Sequence, residues 1–383
     1  MRKVCVVITA RPSYARIKTV LQAIQTHPDL QLQLIVGASA LLERYGEVVN
    51  VIRADGFQPD AIVYMVLEGE NLITTAKSTG LGVVELATIF DNIRPDVVIS
   101  VADRFETIAT AIAASYLNIP VAHVQGGEVT GSIDEKVRHA VTKLSCLHFV
   151  ANTQAADRVM RMGEDPEMVF ITGCPSIDLA EGIQGSMSNG FDPFAAYAGV
   201  GTPFDIRDGY LVVMQHPVTT EYHDSASQIQ ETISAITTLN QPTFWFWPNV
   251  DAGSDQISKG LRRFREAGAT SNIYFFKNMT PEDFLRLLAG ARCLVGNSSV
   301  GIRESSYLGV PVVNIGNRQQ GRERARNVID VGYNADEIVQ ATRKHLANGR
   351  YPSSPLYGDG KAGERIAHIL ARVPLSVEKR MAY

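Results

Sequence analysis

The sequence predicts an α/β protein of two Rossmann-like, doubly wound domains facing a cleft, and three observations predict it. Short β-branched apolar runs alternate with longer amphipathic stretches, the pattern of parallel strands covered by helices on both faces. The alternation breaks once, over residues 180–208, where glycine, proline and serine accumulate, and then restarts. Polar motifs fall where the strands should end, which is where ligands sit in such sheets. A length of 383 residues suits two domains of ordinary size.

In the first half, strands are expected over residues 3–9, 32–36, 97–101, 121–124, 148–150 and 169–172. The first of these begins basic and then turns apolar. It is too short for a secretory signal and ends at Arg11, so it reads as a first buried strand. Amphipathic stretches between them predict helices over residues 14–25, 72–92, 105–117 and 133–144. After the break, strands are expected over 210–214, 243–247, 273–276, 293–295 and 310–314. Helices are expected over 225–239, 255–267, 281–289, 301–308 and 335–347. A last periodic segment, 364–373, reads as a helix packing back on the first domain. The domains are therefore expected at residues 1–180 and 209–362, with a terminal helical piece over 363–383.

Composition narrows the function. The formal net charge is −4, against the basic balance of a general nucleic-acid binder. No apolar run approaches the ~18 residues of a membrane span. Cys5, Cys146, Cys174 and Cys293 stand far apart with no CxxC and no zinc spacing, so buried free thiols are expected. These features place the chain in the cytoplasm. The first strand ends Thr9-Ala10-Arg11-Pro12-Ser13-Tyr14 without glycines, which disfavours a dinucleotide cofactor held in the usual way.

Several motifs can carry chemistry. The sharpest is Gly296-Asn297-Ser298-Ser299-Val300-Gly301-Ile302-Arg303-Glu304, a strand end rich in small polar residues that runs into a helix. Backbone N–H groups, hydroxyls and the positive helix end would converge on a phosphate there, with Glu304 accepting from ribose hydroxyls. A plain N-cap is the simpler alternative. Arg11 suits a phosphate or a bare surface position. His216, in Gln215-His216-Pro217, ends the first strand of the second half and faces the cleft. Asn249 and Asp251 end the next strand and suit either sugar or base recognition, or an Asx turn. In the first half, Asp103 of Asp103-Arg104-Phe105-Glu106 is either an N-cap or a cleft carboxylate. The stretch from Gln125 to Glu135 reads as a flexible, polar, glycine-rich loop. Ser132 and Glu135 have capping-box spacing, and Asp134 and Arg138 are four apart on one helix face. Asp103, Glu128 and Asp134 would form a carboxylate cluster suited to acid–base work, or else a solvated loop.

On these residues the chain resembles the hydrolysing UDP-N-acetylglucosamine 2-epimerases of sialic-acid biosynthesis. The resemblance covers nearly the whole length. It rests on Asp103-Arg104-Phe105, Gly126-Gly127-Glu128 with Ile133-Asp134, Arg138-His139-Ala140 and Thr142-Lys143-Leu144, Gln215-His216-Pro217-Val218-Thr219-Thr220, Pro248-Asn249 with Asp251-Ala252-Gly253-Ser254, and Gly296-Asn297-Ser298-Ser299. Arg318-Gln319 with Gly321-Arg322-Glu323 and Tyr357-Gly358-Asp359-Gly360 extend it. The resemblance implies a glycosyltransferase-B type fold, with UDP held mainly by the second domain and sugar and acid–base groups in the first. It implies substrate contacts from Arg11, Arg104, Gln125, Arg138, His216, Asn249, Met279, Ser298, Ser299, Glu304 and Arg318. It implies Asp103 and Asp134, with Glu128, as the proton-transfer set, no cofactor, no metal, and a homo-oligomer (dimer or tetramer) that takes neither nucleic acid nor membrane as partner.

The implied reaction is anti elimination of UDP to a 2-acetamidoglucal, then hydration to N-acetylmannosamine. Gln125 departs from the pattern, standing where the family often has glutamate; an amide binds sugar but accepts no proton. The acidic residue usual before Tyr14 is also missing. The same chemistry on UDP-N,N'-diacetylbacillosamine, a nucleotide-sugar-binding protein without turnover, and a glycosyltransferase are the other readings.

Overall fold

In the computed structural model, residues 1–43, 46–68, 72–101, 104–130, 134–183, 191–248, 253–268 and 272–382 are described. They form two compact units. One comprises Met1–Glu128, Ile133–Leu179 and Tyr357–Tyr383; the other comprises Val129–Ser132 and Ala180–Leu356.

The first unit contains strands β1 (Arg2–Ile8), β2 (Leu30–Gly37), β3 (Ala61–Val63), β4 (Val97–Val101), β5 (Val121–Val124), β6 (Leu147–Val150) and β7 (Val169–Ile171). Their order is β3-β2-β1-β4-β5-β6-β7, and every pairing is parallel. The chain leaves β1 toward one edge and returns at β4 toward the other, so β1 and β4 flank the crevice of a doubly wound sheet. Alternate side chains of β1 serve different cores. Val4, Val6 and Ile8 join one apolar cluster, and Cys5 and Val7 join another with Leu86 and Phe90. A strand buried on both faces is apolar along most of its length, which is why the run reads as continuous.

The second unit contains β8 (Gly199–Gly201), β9 (Leu211–Met214), β10 (Thr243–Phe246), β11 (Ile273–Phe276), β12 (Cys293–Gly296), β13 (Val312–Ile315) and β14 (Val328–Val331). The order β14-β13-β12-β9-β10-β11-β8 repeats the doubly wound plan, with β9 and β12 flanking the switch point. Only β8 is antiparallel, against β11.

The domain boundaries and the first helix depart from the sequence reading. Residues 180–208, expected as a linker, belong to the second unit and include β8. Gly201 (φ +144°) lies where a Cβ would meet the Ile273 carbonyl oxygen at 2.3 Å, so glycine there permits an edge strand rather than marking a spacer. The helix expected over 14–25 is two pieces, Arg11–Ala15 and Lys18–Thr26. The chain rejoins the first unit at Tyr357, earlier than the expected 363. Its terminal helix, Ala362–Arg372, buries Ile366, Ala367 and Leu370 in the first unit's core. Asp178 accepts the Ala362 and Gly363 N–H groups at 2.9 and 2.7 Å and so satisfies that helix's first turn. No described helix is long and apolar enough to cross a membrane.

Candidate functional site

In the second unit the strand ends build a tight polar nest. Gly296 closes β12 opposite Met214, the last residue of β9. The Asn297 amide then grips the main chain of His216 from both sides. Its Oδ1 accepts the His216 N–H at 2.7 Å, and its Nδ2 donates to the His216 carbonyl at 2.8 Å. A fully buried side-chain amide thus replaces a missing rung of the sheet and fixes His216 at the switch point. Sequence reading offered Asn297 as a cap or anion ligand; the structure gives its side chain to His216. The Asn297 carbonyl in turn accepts from Arg318 Nη1 at 3.3 Å and Gln319 Nε2 at 2.9 Å.

The helix expected over 301–308 is shorter. A 3-10 turn, Ser299–Gly301, is capped by Ser298, whose Oγ accepts the Val300 N–H at 3.5 Å. The α-helix then covers only Glu304–Leu308. Five residues carry little macrodipole, so the helix end by itself offers an anion less than the sequence predicts, and the loop's hydroxyls and arginines are the stronger donors. Ser299 Oγ accepts from Arg303 Nη2 at 2.9 Å. Glu304 is buried. Its Oε2 has no hydrogen-bond partner among the described residues and lies 3.8 Å from Arg303 Nε. A buried carboxylate oxygen left unbonded is costly unless a ligand donor meets it. Met279 is buried in the loop after β11. Asn249 lies outside the described residues.

In the first unit, Arg11 follows β1 as the first residue of the helix Arg11–Ala15, with Pro12 behind it. Desolvation draws its guanidinium down to about 10, still charged at neutral pH. No described residue offers the half-buried side chain a hydrogen bond or ion pair. Arg104 Nε pairs with Glu106 Oε1 at 3.1 Å, and Glu106 Oε2 is buried without a hydrogen-bond partner among the described residues. The sequence marks Glu106 only by its position three residues after Asp103. Asp103 lies outside the described residues.

The first four residues of the loop after β5 are buried, where a flexible polar loop was expected, with solvation as the alternative to a carboxylate cluster. Gln125, Gly126, Gly127 and Glu128 are all covered. A Cβ on Gly127 (φ +74°) would meet the Ala155 carbonyl oxygen at 2.2 Å, so glycine lets the loop lie against the helix Thr153–Arg161. Arg158 Nη1 donates to the Gly127 carbonyl at 3.1 Å and Arg138 Nη1 to the Glu128 carbonyl at 2.9 Å. Arg138, expected beside Asp134, is thus spent at least partly on the loop backbone. Asp134 begins the helix Asp134–Leu144; its side chain, and Ser132 of the expected capping box, lie outside what is described. Glu135, expected in that box, pairs with His139 at 3.2 Å.

Gln125 adopts a left-handed conformation (φ +70°), and its Nε2 contacts Cys174 Sγ, which contacts Ser176 Oγ at 3.0 Å. No sequence signal tied Cys174 and Ser176 to Gln125, because 49 residues separate the contact. All four thiols are free. Cys146 is half-exposed rather than buried, and burial pushes the Cys293 thiol up to about 12. Among the described residues no cluster of three His, Cys, Asp or Glu side chains has the arrangement of a metal site.

Two doubly wound α/β units, each with polar groups at the carboxyl ends of its central strands, define a two-domain protein of the glycosyltransferase-B type. The comparisons place it further. A family model described as UDP-N-acetylglucosamine 2-epimerase matches residues 22–371, and the chain belongs to that family. It is 35% identical over 375 residues to a UDP-N,N'-diacetylbacillosamine 2-epimerase (hydrolyzing) of Legionella pneumophila, covering 98% of this chain and 97% of that one. It is 29% identical to a UDP-N-acetylglucosamine 2-epimerase of Neisseria meningitidis, over 97% of this chain and 95% of that one. Its fold matches that of the Methanocaldococcus jannaschii UDP-GlcNAc 2-epimerase solved with UDP-GlcNAc and UDP. The TM-score is 0.79 at 18% sequence identity, with 96% of this chain and 99% of that chain covered.

Proposed function

We propose that this enzyme is a hydrolysing 2-epimerase of an N-acetylated UDP-sugar, working in the cytoplasm, where its four free thiols stay reduced. The observation that carries the reading is Glu128: a carboxylate only 2% exposed, in a loop whose Gly127 and Glu128 carbonyls are held by Arg158 and Arg138 at the end of a central strand. A glycosyl transfer asks at most for a base at the acceptor hydroxyl, whereas 2-epimerisation must break and remake a C2–H bond. That needs a carboxylate set able to take and return a proton, and Glu128 is a member held out of water that can support Asp103 and Asp134 in it.

In this reading Ser298, Ser299, His216, Asn249 and Arg318 hold the UDP, Arg11 meets its phosphates, Glu304 accepts from the ribose, and Met279 lies against the uracil. Arg104, Gln125 and Arg138 serve the sugar side. Asp103 and Asp134, supported by Glu128, remove the C2 proton and protonate the leaving group. UDP departs with the C1–O bond electrons, and the 2-acetamidoglucal forms. Water then adds oxygen at C1 and a proton at C2 on the opposite face, giving free N-acetylmannosamine from UDP-N-acetylglucosamine. No step calls for a metal or a redox cofactor.

A second substrate, UDP-N,N'-diacetylbacillosamine, is favoured by the 35% identity to the Legionella protein that carries that name; sialic-type or legionaminic-type sugar synthesis follows accordingly. Incubation with each sugar in D2O decides. One of the two is expected to release free UDP and a 2-epimeric sugar carrying deuterium at C2. Epimerised sugar still bound to UDP would show a non-hydrolysing epimerase. Release of UDP without deuterium would show transfer or simple hydrolysis, and binding without turnover would show a nucleotide-sugar-binding protein.

We also assign self-association to the helix Leu72–Ile93, which leaves Ile73 69% and Val84 64% exposed along one side. Light scattering is expected to give a dimer or tetramer, reduced to one chain by Ile73→Glu with Val84→Glu. A wild-type mass of a single chain removes the assignment.

A further inference from the structure

The Arg318–Arg324 region was matched by the sequence as a motif without a physical role for Gln319 and Arg322. Both side chains are buried. Gln319 Nε2 donates to the Asn297 carbonyl at 2.9 Å, and its Oε1 accepts from Arg322 Nη1 at 2.9 Å. Arg322 Nε donates to the Val129 carbonyl at 3.0 Å. Gly321 (φ +80°) brings the motif's backbone against Val129, whose Cγ2 a Cβ there would meet at 3.0 Å. Arg324 fastens the turn from behind, donating to the Gln319 and Arg322 carbonyls and pairing with Asp330 at 2.7 Å. Asn297, Gln319, Arg322 and Val129 all belong to the second unit.

We propose that Arg322 is a positioning residue, and that Asn297–Gln319–Arg322–Val129 is a hydrogen-bonded relay from the nucleotide loop to the backbone of the proton-transfer loop. Val129 follows Glu128 directly in the chain. The carbonyls of these two residues are each held by a buried arginine, Glu128 by Arg138 and Val129 by Arg322. Fixing these two carbonyls fixes the two peptide planes that meet at the Val129 Cα, and the first of them is also the plane that leaves the Glu128 Cα. The near end of the relay is Asn297, whose amide holds His216 and whose carbonyl also takes Arg318. A ligand ordering Ser298, His216 and Arg318 therefore orders Asn297, and the relay carries that order to the Val129 carbonyl, at the residue that follows Glu128 in the chain. Guanidinium suits the task because its rigid fork bridges two acceptors at a fixed angle, which an ammonium does not.

The inference rests on the epimerase reading for the meaning of Glu128, but its test does not. In wild-type protein, UDP is expected to slow hydrogen–deuterium exchange at residues 126–130 as well as at 297–303. In Arg322→Met and in Gln319→Leu, UDP should still protect 297–303, with affinity within about threefold of wild type, while protection at 126–130 is lost. Turnover of whichever sugar the wild type accepts should fall about 10–100-fold in kcat with KM little changed, the scale of a small misplacement of a reacting group. Arg322→Lys should restore only part of it, and the double variant should lose no more than the worse single one. UDP-dependent protection of 126–130 that persists in Arg322→Met overturns the relay, even in an enzyme that epimerises. A wild type that shows the relay by exchange but releases no UDP from either sugar overturns the epimerase reading instead. Loss of UDP affinity in step with kcat would make Arg322 a structural brace of the nucleotide loop and overturn its positioning role.

Discussion

Asp103→Asn and Asp134→Asn are each expected to lower turnover about 10²–10⁴-fold, the usual contribution of a general acid or base. Affinity for UDP should stay within about threefold. Both substitutions keep size and shape while removing the negative charge and the ability to carry a proton, with an NH2 donor in place of one acceptor oxygen. The second unit holds most of the groups assigned to the nucleotide, so the split between turnover and UDP affinity separates chemistry from binding. Gln125→Ala is expected to raise the KM for sugar with a smaller effect on kcat, since an amide has no proton to take up. Glu128→Gln is the decisive companion. If both aspartate variants keep near-full turnover while Glu128→Gln abolishes it, the buried loop glutamate is the base, standing in for the family glutamate that Gln125 replaces.

The second large effect is on stability. Gly296→Ala is expected to destabilise the second unit by about 2–6 kcal/mol, combining ~1–3 for an unfavourable backbone conformation and ~1–3 for overpacking. At Gly296 φ is +143°, and a Cβ would stand 2.0 Å from the Met214 carbonyl oxygen and 2.5 Å from its carbon. Those atoms belong to the backbone of β9, so no side chain can rotate away. The same Met214 carbonyl accepts the Asn297 N–H at 3.0 Å. Pushing the strands apart therefore also frees Asn297 from His216, and UDP affinity should fall with stability. Chemical denaturation followed by the fluorescence of Trp245, in the core of that unit, reads the change. A loss under about 0.5 kcal/mol would show that β9 and β12 part easily.

Much of the fold follows from sequence alone because both sheets are buried on both faces. Such strands are apolar along most of their length, with an occasional buried polar residue such as Ser100 or His123, and the expected ranges at 97–101, 121–124 and 273–276 match β4, β5 and β11 residue for residue. Elements without that property escaped. β3 is three residues long, β14 (Val328–Val331) carries a charged residue on a half-covered edge, and β8 is made of Gly-Val-Gly. The helix Thr153–Arg161 also escaped, being short and strongly polar outside the face it buries.

The sequence by itself determined the alternation of strands and helices, the placement of polar motifs at strand ends and the family, because each is carried by residue type at short spacing along one chain. Only the tertiary structure decided what those motifs touch. Asn297 serves His216, 81 residues away; Arg322 serves Val129, 193 residues away; Gln125 meets Cys174, 49 residues away. The glycines at 126 and 127 look like freedom in the sequence and prove to be close packing. In each case the deciding quantity is a distance between segments that no local pattern encodes, and buried polar groups must find their partners wherever the fold brings them.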